Sequence, residues 1–466
     1  MSDVQEQTVA LDPELVDAIV ERAQQLLPLG SLWAAEGGAA RADSPADGGS
    51  DADAREALAE LGRRLGEMYP YGDVRYIGQI LKPPHPVAWA ANAVTALINP
   101  NNHALDGGPA TAHLEKEAVA DLARMFGMPQ HLGHLTSSGT IANLEALFVA
   151  RELRPEGVVL SSEAAHYTHK RMCALLRMEH ETVPQDEGGR MDVEALERRL
   201  EQGGVSLVVA TLGTTSLGAL DPVHRILELG RRYGVRVHVD AAYGGFHVLL
   251  AGDDPTVDPA PFRALPEADS IVVDPHKHGL QAFGCGSVLF ADPSVGSLYL
   301  HDSPYTYFTS DELHLGEISL ECSRPGAPAA AFWATTRVLE LTSGGLGAQL
   351  RRSREAATRI AAGLAAGRSS RLVVEPELDI VCYYPAAERA SEISRASDRA
   401  FDLLAERGWH VAKLTVDVDW LRRSGAGIEA DAETVTVLRS CVMKPEHLGI
   451  VDEFVETVEE VFSGLV

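Results

Sequence analysis

From Leu132 onward, short β-branched runs alternate with stretches of helical apolar period, and this alternation narrows the possible folds more than any other feature. Strands are expected at Val158–Ser161, Thr182–Pro184, Leu207–Thr211, Val235–Val239, Ser270–Val273 and Ser287–Phe290. Strands joined through helices pair in parallel, so the expectation is an α/β fold with a mainly parallel sheet and helices on both faces. Ligands of such sheets gather beyond the carboxyl ends of the strands. Gly139, Thr215, Asp240 and Lys277 all fall just past expected strands or in connecting turns.

Three of these turns carry chemistry. Ser270-Ile-Val-Val-Asp-Pro-His-Lys-His-Gly279 brings Lys277 to the end of an apolar run. Partial desolvation there favours the neutral amine, a nucleophile toward an aldehyde, although a lone lysine in a turn is as a rule solvated. His238-Val-Asp-Ala-Ala-Tyr-Gly-Gly245 sets Asp240 ahead of small residues that let a flat ring approach the backbone. Thr136-Ser-Ser-Gly-Thr-Ile-Ala-Asn-Leu-Glu-Ala-Leu147 places hydroxyls and glycine before a helical pattern, where N–H groups and the helix dipole face an anion; it also reads as an ordinary helix cap. A lysine for a Schiff base, a carboxylate for a pyridinium nitrogen and a phosphate cradle together are the requirements of pyridoxal 5'-phosphate (PLP). His166, past a further strand end, can stack on a pyridine face; alone it reads as a structural histidine.

The formal charge of −27 argues against a nucleic-acid surface or an anionic membrane, which want clustered Lys and Arg, and fits solubility. Five scattered cysteines without CxxC spacing suggest neither disulfides nor a metal site and fit a reducing, cytoplasmic setting. No basic-then-apolar leader and no span-length apolar run is evident.

Along the chain, an amphipathic helix is expected over Asp12–Leu27, a flexible acidic linker over 36–53 and a helix over Arg55–Met68. Tyr76–Pro86 is a proline-rich pocket-wall candidate that leads into a helix through Trp89. The turn-rich stretch Asn99–Pro109 carries His103, either a substrate contact or a solvated turn histidine, and precedes a helix over Thr111–Met125. In Ser303–Asp311, Tyr305 or Tyr307 can serve as a general acid; packing is the equal alternative. A long helix begins near Ala327, and a compact α+β unit follows with strands at Leu372–Glu375, Asp379–Tyr384 and Thr434–Arg439. The expected division is an N-terminal helical segment (1–85), a large domain (86–344) and a small domain (345–466).

Taken together, Thr136-Ser-Ser-Gly-Thr-Ile-Ala-Asn-Leu, Ala165-His-Tyr, Thr211-Leu-Gly-Thr-Thr-Ser-Leu-Gly-Ala-Leu-Asp221, His238-Val-Asp-Ala-Ala-Tyr-Gly and Asp274-Pro-His-Lys277 resemble the group II PLP-dependent amino-acid decarboxylases. These include aromatic, glutamate and archaeal tyrosine/aspartate decarboxylases, and the resemblance runs from about Tyr76 to the C-terminus. It implies PLP fold type I, the aspartate-aminotransferase-like architecture, and a homodimer with sites at the subunit interface. It also implies that Lys277 takes the cofactor aldehyde, Asp240 meets the pyridine nitrogen, Ala242 lies beneath the ring and His166 above it. Ser138, Gly139 and Thr140 match phosphate contacts, His276 a cofactor contact, and Thr215 the residue near the ring hydroxyl and substrate. Arg439 matches the arginine that holds the substrate α-carboxylate, with a salt-bridged arginine as its alternative and Arg324 as a lower-ranked rival.

Three departures stand out. Asp274 replaces the asparagine common in animal members and, as a carboxylate near phosphate, is expected to turn away or bond to backbone. Ile141 replaces an acidic residue, and Val87-Ala88 replaces an aromatic pair, with Trp89 next. The expected reaction converts an L-amino acid, best an aromatic one such as tyrosine, to its amine and CO2. Aspartate or glutamate is the close alternative, through His103, Asn101 and Asn102. Aminotransfer, aldol cleavage, oxidative decarboxylation-deamination or silent PLP binding are the others.

Overall fold

The computed structural model describes residues 51–299 and 313–466, together with Glu14, Asp17, Ala18 and Glu21. Most of the expected helix over Asp12–Leu27, residues 36–50 of the expected linker, and the loop bearing Tyr305 and Tyr307 lie outside the described residues.

Helices α1 (Asp51–Leu65), α2 (Pro86–Ile98) and α3 (Pro109–Met125) precede the sheet. Then strands and helices alternate: β1 (Leu132–Thr136), α4 (Gly139–Leu153), β2 (Val158–Ser162), α5 (Thr168–Leu176), β3 (His180–Val183), α6 (Val193–Leu200), β4 (Val205–Thr211), α7 (Val223–Tyr233), β5 (Arg236–Asp240), β6 (Ser270–Val273) and β7 (Gly286–Phe290). They form one seven-stranded sheet in the order β1-β7-β6-β5-β4-β2-β3. Neighbours from β3 through β6 run parallel, and only β7 is antiparallel to both of its neighbours. Every residue of β4 is buried, as a strand covered on both faces requires, and this explains its unbroken apolar run.

Helices α8 (Ala327–Val338) and α9 (Leu346–Ala366) lead to a second, antiparallel sheet of β8 (Ser370–Leu372), β9 (Ile380–Pro385), β10 (Ala412–Asp417) and β11 (Thr434–Cys441), with α10 (Ala390–Glu406) and α11 (Val451–Ser463) against it. β8 ends where a strand was expected to begin, because pairing with β9 holds Ser370 opposite Pro385 and Leu372 opposite Tyr383. β10 was not anticipated: it is an edge strand of alternating exposure, made a strand by its pairing with β11. β1, with a glycine and a histidine among five residues, is likewise made by pairing with β7.

One apolar core joins the two sheets, with Val239, Ile271 and Leu289 in the same cluster as Ile380, Val435 and Val437. Residues 76–77 belong with the second sheet: the Ile77 N–H donates to His410 O and the Cys441 N–H to Ile77 O. Among the described residues no helix is long and apolar enough to cross a membrane.

Candidate active site

At the carboxyl ends of β2, β4, β5 and β6 and beside the turn from β1 to α4 lies a cavity of about 260 Å3, lined by residues of five turns, of which the one after β4 supplies Thr211, Gly213 and Thr215. The first turn caps α4. Ser138 has extended backbone, and its Oγ accepts from the Ile141 N–H at 3.4 Å, so the free N–H groups of the first helical turn open onto the cavity wall formed by Ser137, Ser138, Gly139 and Thr140. Gly139 has no room for a side chain, since a Cβ would stand 2.6 Å from an oxygen of Asp274.

The second turn follows β5. Asp240 Oδ1 accepts from the Ala242 N–H at 3.1 Å, and Oδ2 lies 2.9 Å from His169 Nε2. Burial alone would raise this carboxyl, but the hydrogen bond and charge of His169, with the charges of Lys277 and His238, hold it well below the usual carboxylate range. Asp240 is therefore an anion facing the cavity, and Ala242 beside it presents only a methyl group.

The third turn follows β6. Lys277 Nζ stands 3.0 Å from Asp274 Oδ2, and His276 Nδ1 lies 2.7 Å from Cys285 O. Leu280 closes this turn with φ of +61°, a left-handed conformation uncommon for a leucine. Asp274 corrects the expectation that it turns away: it is buried, packs against Gly139 and faces Lys277, because the ammonium supplies the opposite charge. The fourth turn brings His166 to the cavity wall, with burial pulling its imidazole below the ordinary value.

His166 and Thr215 also line an adjoining cavity of about 440 Å3, whose far wall includes Gln185, Leu217, Leu414, Trp420 and Arg439. Arg439 is buried, donating from Nε to Ser216 O at 3.1 Å and from Nη2 to Thr215 O at 2.6 Å, and it has no carboxylate partner among the described residues. Arg324, by contrast, is committed to a buried pair with Glu115 at 2.6 Å and to Leu135 O.

Residues 85–385 match the pyridoxal-dependent decarboxylase conserved domain. The chain belongs to this decarboxylase family. A probable L-tyrosine/L-aspartate decarboxylase of Methanothermobacter thermautotrophicus is 30% identical over 73% of this chain and 90% of its own. That of Methanoculleus marisnigri is 35% identical over 56% of this chain and 69% of its own. A crystal structure of Oryza sativa TDC with PLP and tryptamine superposes with a TM-score of 0.77 at 18% identity, covering 99% of this chain and all of that one. Mouse CSAD gives 0.76 at 22%, covering 97% and 99%. The fold is PLP fold type I, the cofactor is PLP, and the enzyme is an amino-acid decarboxylase, a carboxy-lyase.

The decarboxylase cavity suits that cofactor on its own geometry. Buried oxygens at its wall, Thr168 Oγ1, Thr211 Oγ1 and Asp274 Oδ1, lack hydrogen-bond partners among the described residues. An amine, a buried anion and a glycine-lined helix start converge on one space, as an aldehyde, a pyridinium nitrogen and a phosphate require.

Ser138, Gly139, Thr140, His166, Thr215, Asp240, Ala242, His276 and Lys277 are thus brought together, and Arg439 stands one cavity away. Trp89, on α2 and partly exposed, and His103, in the turn against Gly316, line neither cavity within this chain. Sequence reasoning missed His169, Thr168, Thr211 and Tyr243. His169 carried no local signal: His166 lies before α5 and His169 within it, and its role comes from Asp240, 71 positions away.

Proposed function

We propose that the enzyme decarboxylates an aromatic L-amino acid of tyrosine size to its primary amine. The observation that carries this reading is the adjoining cavity, where Tyr167, Leu217, Leu414, Val416 and Trp420 supply apolar wall and Gln185 a polar group for a phenol. Lys413 on the same wall would suit an acidic side chain, but its ammonium is paired with Asp398 at 2.9 Å. The relative from Enterococcus faecium, an L-tyrosine decarboxylase 29% identical over 65% of this chain, supports the aromatic reading.

Bound in the first cavity, PLP supplies an aldehyde for amine capture and an electron sink for the bond that breaks. Lys277 Nζ is the resident amine. Ser138, Gly139 and Thr140 cradle the phosphate, with His276 beside Lys277. Asp240 would hold a proton on the ring nitrogen, and His166 and Ala242 would bound the ring. Thr215, on the wall of both cavities, would meet ring and substrate, and Arg439 would offer its guanidinium to the α-carboxylate.

The working unit in this proposal is a homodimer. Leu58, Leu61 and Leu65 form an exposed apolar stripe on α1 that suits a partner surface, and Trp89 and His103 are candidates for contacts across the interface. The cysteines are free and four are buried, which suits a reducing, cytoplasmic setting.

The test is an amine-product assay with PLP and L-tyrosine, L-aspartate and L-glutamate, alongside Lys277→Ala. Tyramine from the parent and no product from the variant are expected. Product from aspartate or glutamate in preference to tyrosine overturns the substrate assignment.

A further inference from the structure

Beside Lys277 in the chain, a second group of polar side chains is sealed from water. His247, His278 and Asp379 are fully buried, with one donor atom from each lying within 4.8 Å of the others. Asp379 Oδ1 accepts from the Tyr243 hydroxyl, and its oxygens stand 3.3 Å from His278 Nε2 and 3.8 Å from His247 Nε2, neither contact in hydrogen-bonding geometry. These residue types and distances resemble a cation site. Two cations, the half-buried Lys82 and the buried Arg354, however, already bear on the Asp379 charge, and a divalent ion would be repelled by both.

The origins of the four side chains point elsewhere. Tyr243 follows Ala242 in the turn after β5, and His278 follows Lys277 in the turn after β6; Tyr243 and Lys277 both line the cavity. Asp379 comes from the other sheet, one residue before β9, the strand whose Cys382 is paired with Arg439 of β11. One carboxylate therefore links the turn bearing Lys277, the turn bearing Ala242 and the strand pair bearing Arg439.

We propose that Asp379 is a positioning residue for Lys277: its carboxylate, held between His278 and Tyr243, sets the Lys277 turn relative to the Arg439 strand. The inference rests on the assignment of Lys277 as the reacting amine. The Tyr243 hydroxyl donates to this buried carboxylate and His278 packs against it, and both are immediate chain neighbours of cavity residues. A small displacement of a reacting group costs rate rather than affinity.

The test uses the PLP-loaded enzyme with Asp379→Asn, which keeps the shape and removes the charge. Expected are a fall in kcat of about thirtyfold, KM within about threefold of the parent, and a displaced pH midpoint for the absorption band of the lysine-bound cofactor. A folded variant with a lower Tm but parental kcat and pH midpoint would show a purely structural carboxylate and overturn the proposal. Should Asp379→Asn fail to fold, Tyr243→Phe, which removes one hydroxyl, decides by the same criteria, with a fall of about fivefold in kcat expected. Lys277→Ala in the same assay separates the two ideas. If it retains product formation, the reading of the site fails; if it loses product while the Asp379 and Tyr243 variants match the parent, only the role of Asp379 fails.

Discussion

Asp240 and Asp221 are two buried carboxylates at the carboxyl edge of the same sheet, and burial ends differently for each. Asp221 accepts the Thr211 and Met191 N–H groups, each at 2.7 Å, but has no salt bridge among the described residues; burial, with Asp186 and Glu377 nearby, pushes it up to about 7. Asp240 is shut away as thoroughly, yet His169 and Lys277 keep it charged. Backbone donors at good distance do not make a buried carboxyl an anion here; a cationic partner does. The one with the partner faces the cavity, and the other ties the turn 211–221 together.

The strongest way to break this contrast is Asp240→Asn. If the charge of Asp240 matters to catalysis as proposed, amine release at saturating PLP falls by about a thousandfold; a fall of less than tenfold would mean the ring proton is held otherwise. Next in size, His169→Leu should turn Asp240 into a second Asp221. Leaving the carboxylate buried without its partner is expected to cost about 3 kcal/mol of unfolding free energy, read from urea titration at pH 7.

The third prediction uses the opposite pH windows of the two groups. Asp240 is depressed in the folded protein, so its contribution is present above about pH 4, the unfolded value, and is lost on further acidification. Asp221 is raised, so its contribution is full below about pH 4 and fades as pH rises to about 7. The stability difference between the parent and Asp221→Asn should therefore shrink by on the order of 2 kcal/mol from pH 5 to pH 8. A difference that stays constant over that range would place Asp221 in one protonation state throughout and remove its half of the contrast.

The residues that could be read from the chain are those whose placement is local. Lys277, Asp240, Ser138, Gly139 and His166 each follow a β-branched run or open a helix, and the carboxyl edge of a parallel sheet gathers such turns whatever the rest of the chain does. The strands β2, β4, β6 and β7 were legible for the same reason, since a doubly covered strand must be apolar along its length, whereas the edge strand β3, partly exposed, meets its expected run only at Thr182 and Val183. β1 and β10 were not, because their partners rather than their composition make them strands.

What the chain by itself determined, then, was the fold class, the cofactor and the chemical types at the site, all written in short motifs with local physical causes. Only the tertiary structure decided how charges pair. His169 meets Asp240 across 71 positions, Asp274 turns toward Lys277 instead of away, and Asp379 reaches His278 from the other sheet. Such pairings depend on which strand ends the topology brings within a few ångströms, and a buried charge takes the nearest opposite charge or donor wherever it lies in sequence.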